Sequence, residues 1–415
     1  MGLKRLLVVA ATLALIGAGC SSSNKKPTGS PTTTGGQAPT ATAYTIGLLT
    51  DLTGLASSAE SSTPNGVKAG VGLANASGYN IKYIVADAQS SPGGALSAAQ
   101  KLVEQDHVFA VIAVSGLTFA AASYLTSHDI PVIGANTDGT EWITAPNMFS
   151  VFGTGDYHKV STTAGAIFKL LGATNIASLG YSIVPSAKLS AEGSAASVEA
   201  AGLKVGYLNP NFPFGGTNVG PTVIAMKNAK VDGFTGSVEE NTSFAIAEGM
   251  RQAGAPLKVA LFSVGYGGDL YSAGPGAEQA AQNGYFSVSY EPVEMHTAAT
   301  ERLQKALATY AGITQDPTLN EYIGYASVNA FTKGLQAAGP NPTQATFIKA
   351  MLSIRSYNAD GLFGSHSVGF ALDQRGIVGG ADNCIWLARF AGTTFHLVQG
   401  AEPICGTNIP GKTVS

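Results

Sequence analysis

From Tyr44 onward the chain alternates short β-branched or aliphatic runs with stretches whose apolar residues recur at helical spacing. Tyr44 to Thr50 predicts a strand, Val67, Val71 and Ala74 mark one helix face, and Ile81 to Ala86 predicts the next strand. Leu96, Ala99 and Val103 mark a second helix face, ahead of strands at Phe109 to Val114 and Pro131 to Gly134. Right-handed crossovers between such strands demand a mostly parallel sheet covered by helices on both faces. The alternation restarts after Asn147. Strands are expected at Met148 to Phe152, Asn175 to Leu179, Lys204 to Tyr207, Asp232 to Thr235 and Lys258 to Phe262. Helices are expected at Lys159 to Leu171, Ala187 to Ala201, Val219 to Ala229 and Ser243 to Ala253. Helical spacing then dominates from Thr297 to Leu352. The tail from Gly369 to Val398 reads as strands turning at Asp373-Gln374-Arg375-Gly376 and Ala391-Gly392-Thr393. The fold class is therefore α/β, with two open sheets in series and a ligand cleft at their carboxyl strand ends.

Ahead of this body the pattern changes. Lys4 and Arg5 precede an apolar run from Leu6 to Ala18, which is too short to span a bilayer and has the form of a secretory signal. Ile16-Gly17-Ala18-Gly19-Cys20, followed by three serines, resembles a bacterial lipoprotein cleavage box with Cys20 as the lipidated residue and Gly17 as a departure. Residues 1–19 are then a signal peptide. Residues 20–43, rich in Ser, Thr, Gly and Pro, form a lipidated tether that keeps the folded body extracytoplasmic and close to the cell membrane. Export also makes the thiols readable, because outside the cytoplasm cysteines pair. With Cys20 carrying lipid, Cys384 and Cys405 are expected to form a disulfide, two free buried thiols being the other reading.

Composition narrows the function. The chain has 415 residues, 45% hydrophobic and 12% charged, which suits two or three well-packed domains and not a disordered segment. A net charge of -3 leaves no strongly basic face, so nucleic acid is not an expected partner. There is no Gly-x-Ser-x-Gly elbow and no His-Glu-x-x-His. The histidines at 107, 128, 158, 296, 366 and 396 lack ligand spacing, and no Cys-x-x-Cys occurs. Gly265-Tyr266-Gly267-Gly268 lacks the third glycine of a dinucleotide loop. No catalytic residue, metal or cofactor is expected, and the chain reads as a binding protein rather than an enzyme.

Several stretches carry a family likeness. They are Ile46-Gly47-Leu48-Leu49-Thr50-Asp51-Leu52-Thr53-Gly54, Asn65-Gly66, Asp87-Ala88-Gln89-Ser90-Ser91-Pro92, Val108-Phe109-Ala110-Val111-Ile112 leading to Ser115, Ile130-Pro131-Val132-Ile133, and Gly369-Phe370-Ala371-Leu372-Asp373-Gln374-Arg375-Gly376. In this order they resemble the type I solute-binding proteins of ABC importers, the leucine/isoleucine/valine-binding (branched-chain amino acid) family. The resemblance implies two Rossmann-like lobes with parallel sheets, joined by a three-strand hinge. Lobe 1 would be 44–151 plus 289–362, and lobe 2 would be 152–288 plus 363–415. It further implies a monomer that closes on a small molecule and delivers it to an ABC importer permease; a ligand-sensing receptor of the same fold is the alternative.

Candidate site residues follow. Ser115, Gly116 and Thr118 lie where the strand Phe109 to Val114 enters a helix, and free N–H groups there attract a carboxylate; a plain helix cap is the other reading of Ser115. Asn136 and Thr137 match the family's polar loop after the fourth strand, with ordinary turn chemistry as the alternative. Tyr181, Glu239 and Tyr266 each sit just past a strand end and are expected as walls from the second lobe. Two positions depart from amino-acid binders. Ala59 stands where the family often has an aromatic, and Ser263-Val264-Gly265-Tyr266 lacks the carboxylate that pairs with an α-ammonium. Either Glu239, Glu240 or Asp269 replaces it, or the ligand has no ammonium. On sequence alone the balance favours a larger or less charged carboxylate or amide.

Overall fold

The computed structural model describes residues 42–134, 139–153, 155–376, 380–398, 400 and 402–415. The expected signal peptide, Cys20, the tether up to residue 41, Asn136 and Thr137 lie outside the described residues.

The first sheet contains β1 (Ala43–Thr50), β2 (Asn80–Asp87), β3 (Ala110–Val114), β4 (Val132–Gly134) and β5 (Met148–Ser150). They run parallel in the order β2-β1-β3-β4-β5. Every residue of β3 is buried, as befits a central strand with helices on both faces. The expected strand at Met148 opens no second unit; it pairs with β4 and ends the first sheet. Its apolar run specifies a strand but not a partner.

The second body begins with β6 (Lys159–Ser161), where a helix is expected; the helix starts only at Thr163. β6 exists because β15 (Asn408–Thr413) returns from the end of the chain to pair with it, a contact that local periodicity does not encode. Next come β7 (Asn175–Tyr181), β8 (Lys204–Phe212), β9 (Gly233–Ser237), β10 (Val259–Phe262) and β11 (Tyr285–Val288). The sheet ends in β12 (Cys384–Ala391) and β13 (Thr394–Leu397), in the order β13-β12-β11-β10-β9-β7-β8. Pairing is parallel from β8 to β11 and antiparallel from there to β13. The hairpin turns at Gly392, whose φ of 68° suits glycine. β14 (Ile404–Cys405) pairs with β12, placing Cys384 opposite Cys405 with their sulfurs bonded at 2.04 Å.

Between β11 and β12 the chain returns to the first sheet with the helices Ala298–Ala306, Leu319–Ala338 and Gln344–Ser353. The turn expected between strands at Asp373 to Gly376 is instead a single 3-10 turn, Leu372–Gln374, with no strand at Gly369 to Ala371. Arg375 holds it in place: its buried guanidinium donates to the carbonyls of Phe370, Trp142 and Ala145 at 2.7 to 3.1 Å. No described helix is long and apolar enough to cross a membrane.

Candidate functional site

The short helix that follows β1 and the carboxyl end of β3 on one side, and the carboxyl ends of β7, β9 and β10 on the other, line one cavity of about 310 Å³. It continues beneath the helix Pro185–Ala200, past Ser178, Ser190, Ser194 and Ser197. That helix is built largely from Ala and Ser, which are too small to fill the space against the sheet.

On the first-sheet side, β1 leads into a loop and the short helix Ser57–Glu60. The Glu60 carbonyl accepts from Thr63 Oγ1 at 2.7 Å and from Thr50 Oγ1 at 3.2 Å, and Asn320 Nδ2 donates to the Ala59 carbonyl at 2.6 Å. So fixed, Glu60 turns its carboxylate toward the entry of the helix Phe119–Ser127, where Oε1 accepts from the Gly116 N–H at 3.1 Å. Its other oxygen is buried and unpaired by any conventional donor, beside Asp51. Asp51 is fully buried and accepts from the Ser90 N–H at 2.6 Å.

From the second sheet, Tyr181 closes β7. Its hydroxyl accepts from the Glu239 N–H at 2.7 Å and lies 3.2 Å from Thr242 Oγ1. Its ring packs edge-on against Phe214 at 5.0 Å. Glu239 and Glu240 open the helix Glu240–Gln252, and Asp269 sits on the short helix Gly268–Ser272. Asp269 is only 6% exposed, lines the cavity, and its carboxylate makes no hydrogen bond with the described residues.

The carboxyl groups therefore face one another with little compensation. Burial raises Glu60 well above the usual carboxylate range; Asp51 and Glu239 raise it further, against the Gly116 N–H. Burial first, then Glu240 and Asp51, raise Glu239. Burial first, then Glu240, Glu321 and Glu239, raise Asp269. Among the described lining residues Lys159 is the only cation, and it is occupied by Asp156 at 3.5 Å and the Gly376 carbonyl at 3.1 Å.

Of the residues expected from sequence, Gly116, Tyr181 and Glu239 line this cavity, as does Ala59. Ser115 and Thr118 stand just behind it. The Ser115 hydroxyl accepts from the Leu117 N–H at 3.1 Å and the Thr118 hydroxyl donates to the Ser115 carbonyl at 3.0 Å, so both shape the helix entry. Tyr266 is displaced from the expected wall. It is buried, with its hydroxyl donating to Glu294 at 2.6 Å and its ring against Phe395, and it acts as a strut. Sequence reasoning missed Asp51, Glu60, Phe152 and Phe214. A four-residue helix has too little periodicity to register, and the approach of Glu60 to Gly116 joins residues 56 positions apart.

The sequence matches the family described as periplasmic binding protein over residues 43–394. Comparison with curated proteins gives no significant match. Among solved structures, a solute-binding protein of an ABC transporter from R. palustris in complex with benzoate superposes with a TM-score of 0.70 at 17% identity, covering 88% of this chain and 98% of that one. A leucine-binding protein from Thermotoga maritima gives 0.70 at 14% identity, covering 87% and 99%. A branched-chain amino acid transporter substrate-binding protein from Streptococcus pneumoniae, in complex with isoleucine, gives 0.69 at 17% identity, covering 89% and 99%.

Proposed function

Because the chain belongs to the type I periplasmic binding protein family, we propose that it captures a small molecule between its lobes outside the cytoplasm and presents it to an ABC importer permease. The family and the solved neighbours are solute-binding proteins, not enzymes. The observation that carries the reading is the cavity walled by strand ends of both sheets, with Glu60 and Gly116 on one side and Tyr181, Glu239 and Asp269 on the other. Contacts from both sides form together only when the lobes are closed, so ligand shifts the population by its differential affinity. A preference of about 5.5 kcal/mol takes a nearly all-open population to a nearly all-closed one. The permease then reads closure.

In this reading Cys20 carries the lipid that holds the protein at the membrane, the segment after it is the tether, and the body works as a monomer. The Cys384–Cys405 bond suits an oxidising compartment. Small-angle scattering on protein stripped of ligand by unfolding and refolding checks the central claim. Adding back the compound that co-purifies, identified by mass spectrometry, is expected to shrink the radius of gyration and raise Tm. A shape indifferent to every compound recovered would refute it.

A further inference from the structure

In a helix entry that follows a parallel strand, the exposed N–H groups are the natural seat for a ligand carboxylate. Here that seat is taken. The Gly116 N–H donates to Glu60, and the Ser115 hydroxyl is turned back on the Leu117 N–H. The chain's own carboxylate thus stands where an anionic ligand group would sit, and its other oxygen lies buried against the Asp51 carboxyl.

The rest of the lining carries the same sign. Glu239 and Asp269 reach the cavity from the second sheet, and Asp269 is almost wholly buried with no hydrogen bond to its carboxylate among the described residues. Behind them Glu240, 2% exposed, leaves one buried oxygen unpaired. Uncompensated buried carboxylates cost several kcal/mol unless they are paired or protonated. The chain supplies no arginine to the described lining, and its one lysine there is engaged elsewhere. Phe152, Tyr181 and Phe214 line the same space, and aromatic faces attract cations within about 6 Å of the ring centre.

We propose that this cavity takes an organic cation, an amine held by Glu60, Glu239 and Asp269 against aromatic faces, and that it excludes carboxylates. The inference rests on the solute-binding reading and names its ligand class. An amine with two or more charges satisfies more of the carboxylates than a monoamine does, and its chain can extend along the hydroxyl-lined continuation under the helix Pro185–Ala200.

Isothermal titration and thermal shift on the refolded protein test it, with 1,4-diaminobutane, spermidine and choline as cations, benzoate and isoleucine as carboxylates, and magnesium chloride as the inorganic control. At least one amine is expected to bind and raise Tm, with both carboxylates silent. Glu60→Gln and Asp269→Asn should each weaken that amine tenfold or more while leaving the ligand-free Tm equal or higher, which shows that the variants fold. Silence of every amine overturns the proposal. If benzoate or isoleucine then binds, solute capture stands and only the cation assignment falls. If nothing binds and scattering shows no closure, both fall. Equal stabilisation by magnesium alone, or undiminished amine binding in both variants, also overturns it.

Discussion

Glu60 shows what a single side chain contributes when its environment is set by distant parts of the chain. Its carbonyl is fixed by Thr50 and Thr63, its carboxylate is aimed at Gly116, and Asp51 and Glu239 crowd it. Buried carboxyl groups raised above their ordinary values bind protons more readily folded than unfolded, so they reduce stability as pH rises from the unfolded values toward the folded ones. The unfolded references are 4.5 for Glu60 and Glu239 and 3.8 for Asp269. Ligand-free protein is therefore expected to gain Tm as the pH falls from about 7 to about 5, toward those unfolded values. Glu60→Gln should flatten part of that slope. A Tm that falls steadily over this range would show that the carboxylates are compensated after all. Arg375 is the opposite case. Burial lowers it to about 10, still charged at neutral pH, and it serves carbonyls rather than a carboxylate.

At the scale of elements, the helices Thr63–Ala76 and Leu319–Ala338 cross close to the site and set the position of Asn320 and the cavity wall. The second begins with a capping box, Thr318 Oγ1 accepting from the Glu321 N–H and Glu321 returning to the Thr318 N–H, each at 3.0 Å. The crossing depends on absent side chains. A Cβ on Gly66 would stand 2.1 Å from the Glu321 carbonyl oxygen, and one on Gly324 would stand 2.7 Å from the Thr63 oxygen. Gly66→Ala is expected to cost about 1–3 kcal/mol by forcing the helices apart. Urea unfolding would measure it, and a change below about 0.5 kcal/mol would mean that the crossing is slack. The strand and helix alternation from Tyr44 to Phe262 was legible because both periods are local. The departures at β6 and Leu372–Gln374 depend on partners far along the chain, β15 for the first and the Arg375 clamp on Trp142 for the second, while that at β5 depends on its pairing with the preceding strand β4.

For the molecule as a whole, the chain moves from the first sheet to the second and back before finishing in β12 to β15, so the second body is completed by segments far apart in sequence. The Cys384–Cys405 bond, spanning 21 positions, ties β14 to β12 at that finish. Reduction, or Cys384→Ala with Cys405→Ala, is expected to lower stability by about 3 kcal/mol through loop closure. Denaturant titration with and without reductant reads this, and identical curves would make the bond dispensable. The sequence by itself determined the alternating α/β architecture and the likeness to solute binders, since hydrophobic period and short motifs act over a few residues at a time. Tertiary structure alone decided the sign of the cavity. Asp51, Glu60, Glu239, Glu240 and Asp269 are spread over more than 200 positions, and only folding removes the water between them and turns separate acids into one electrostatic field.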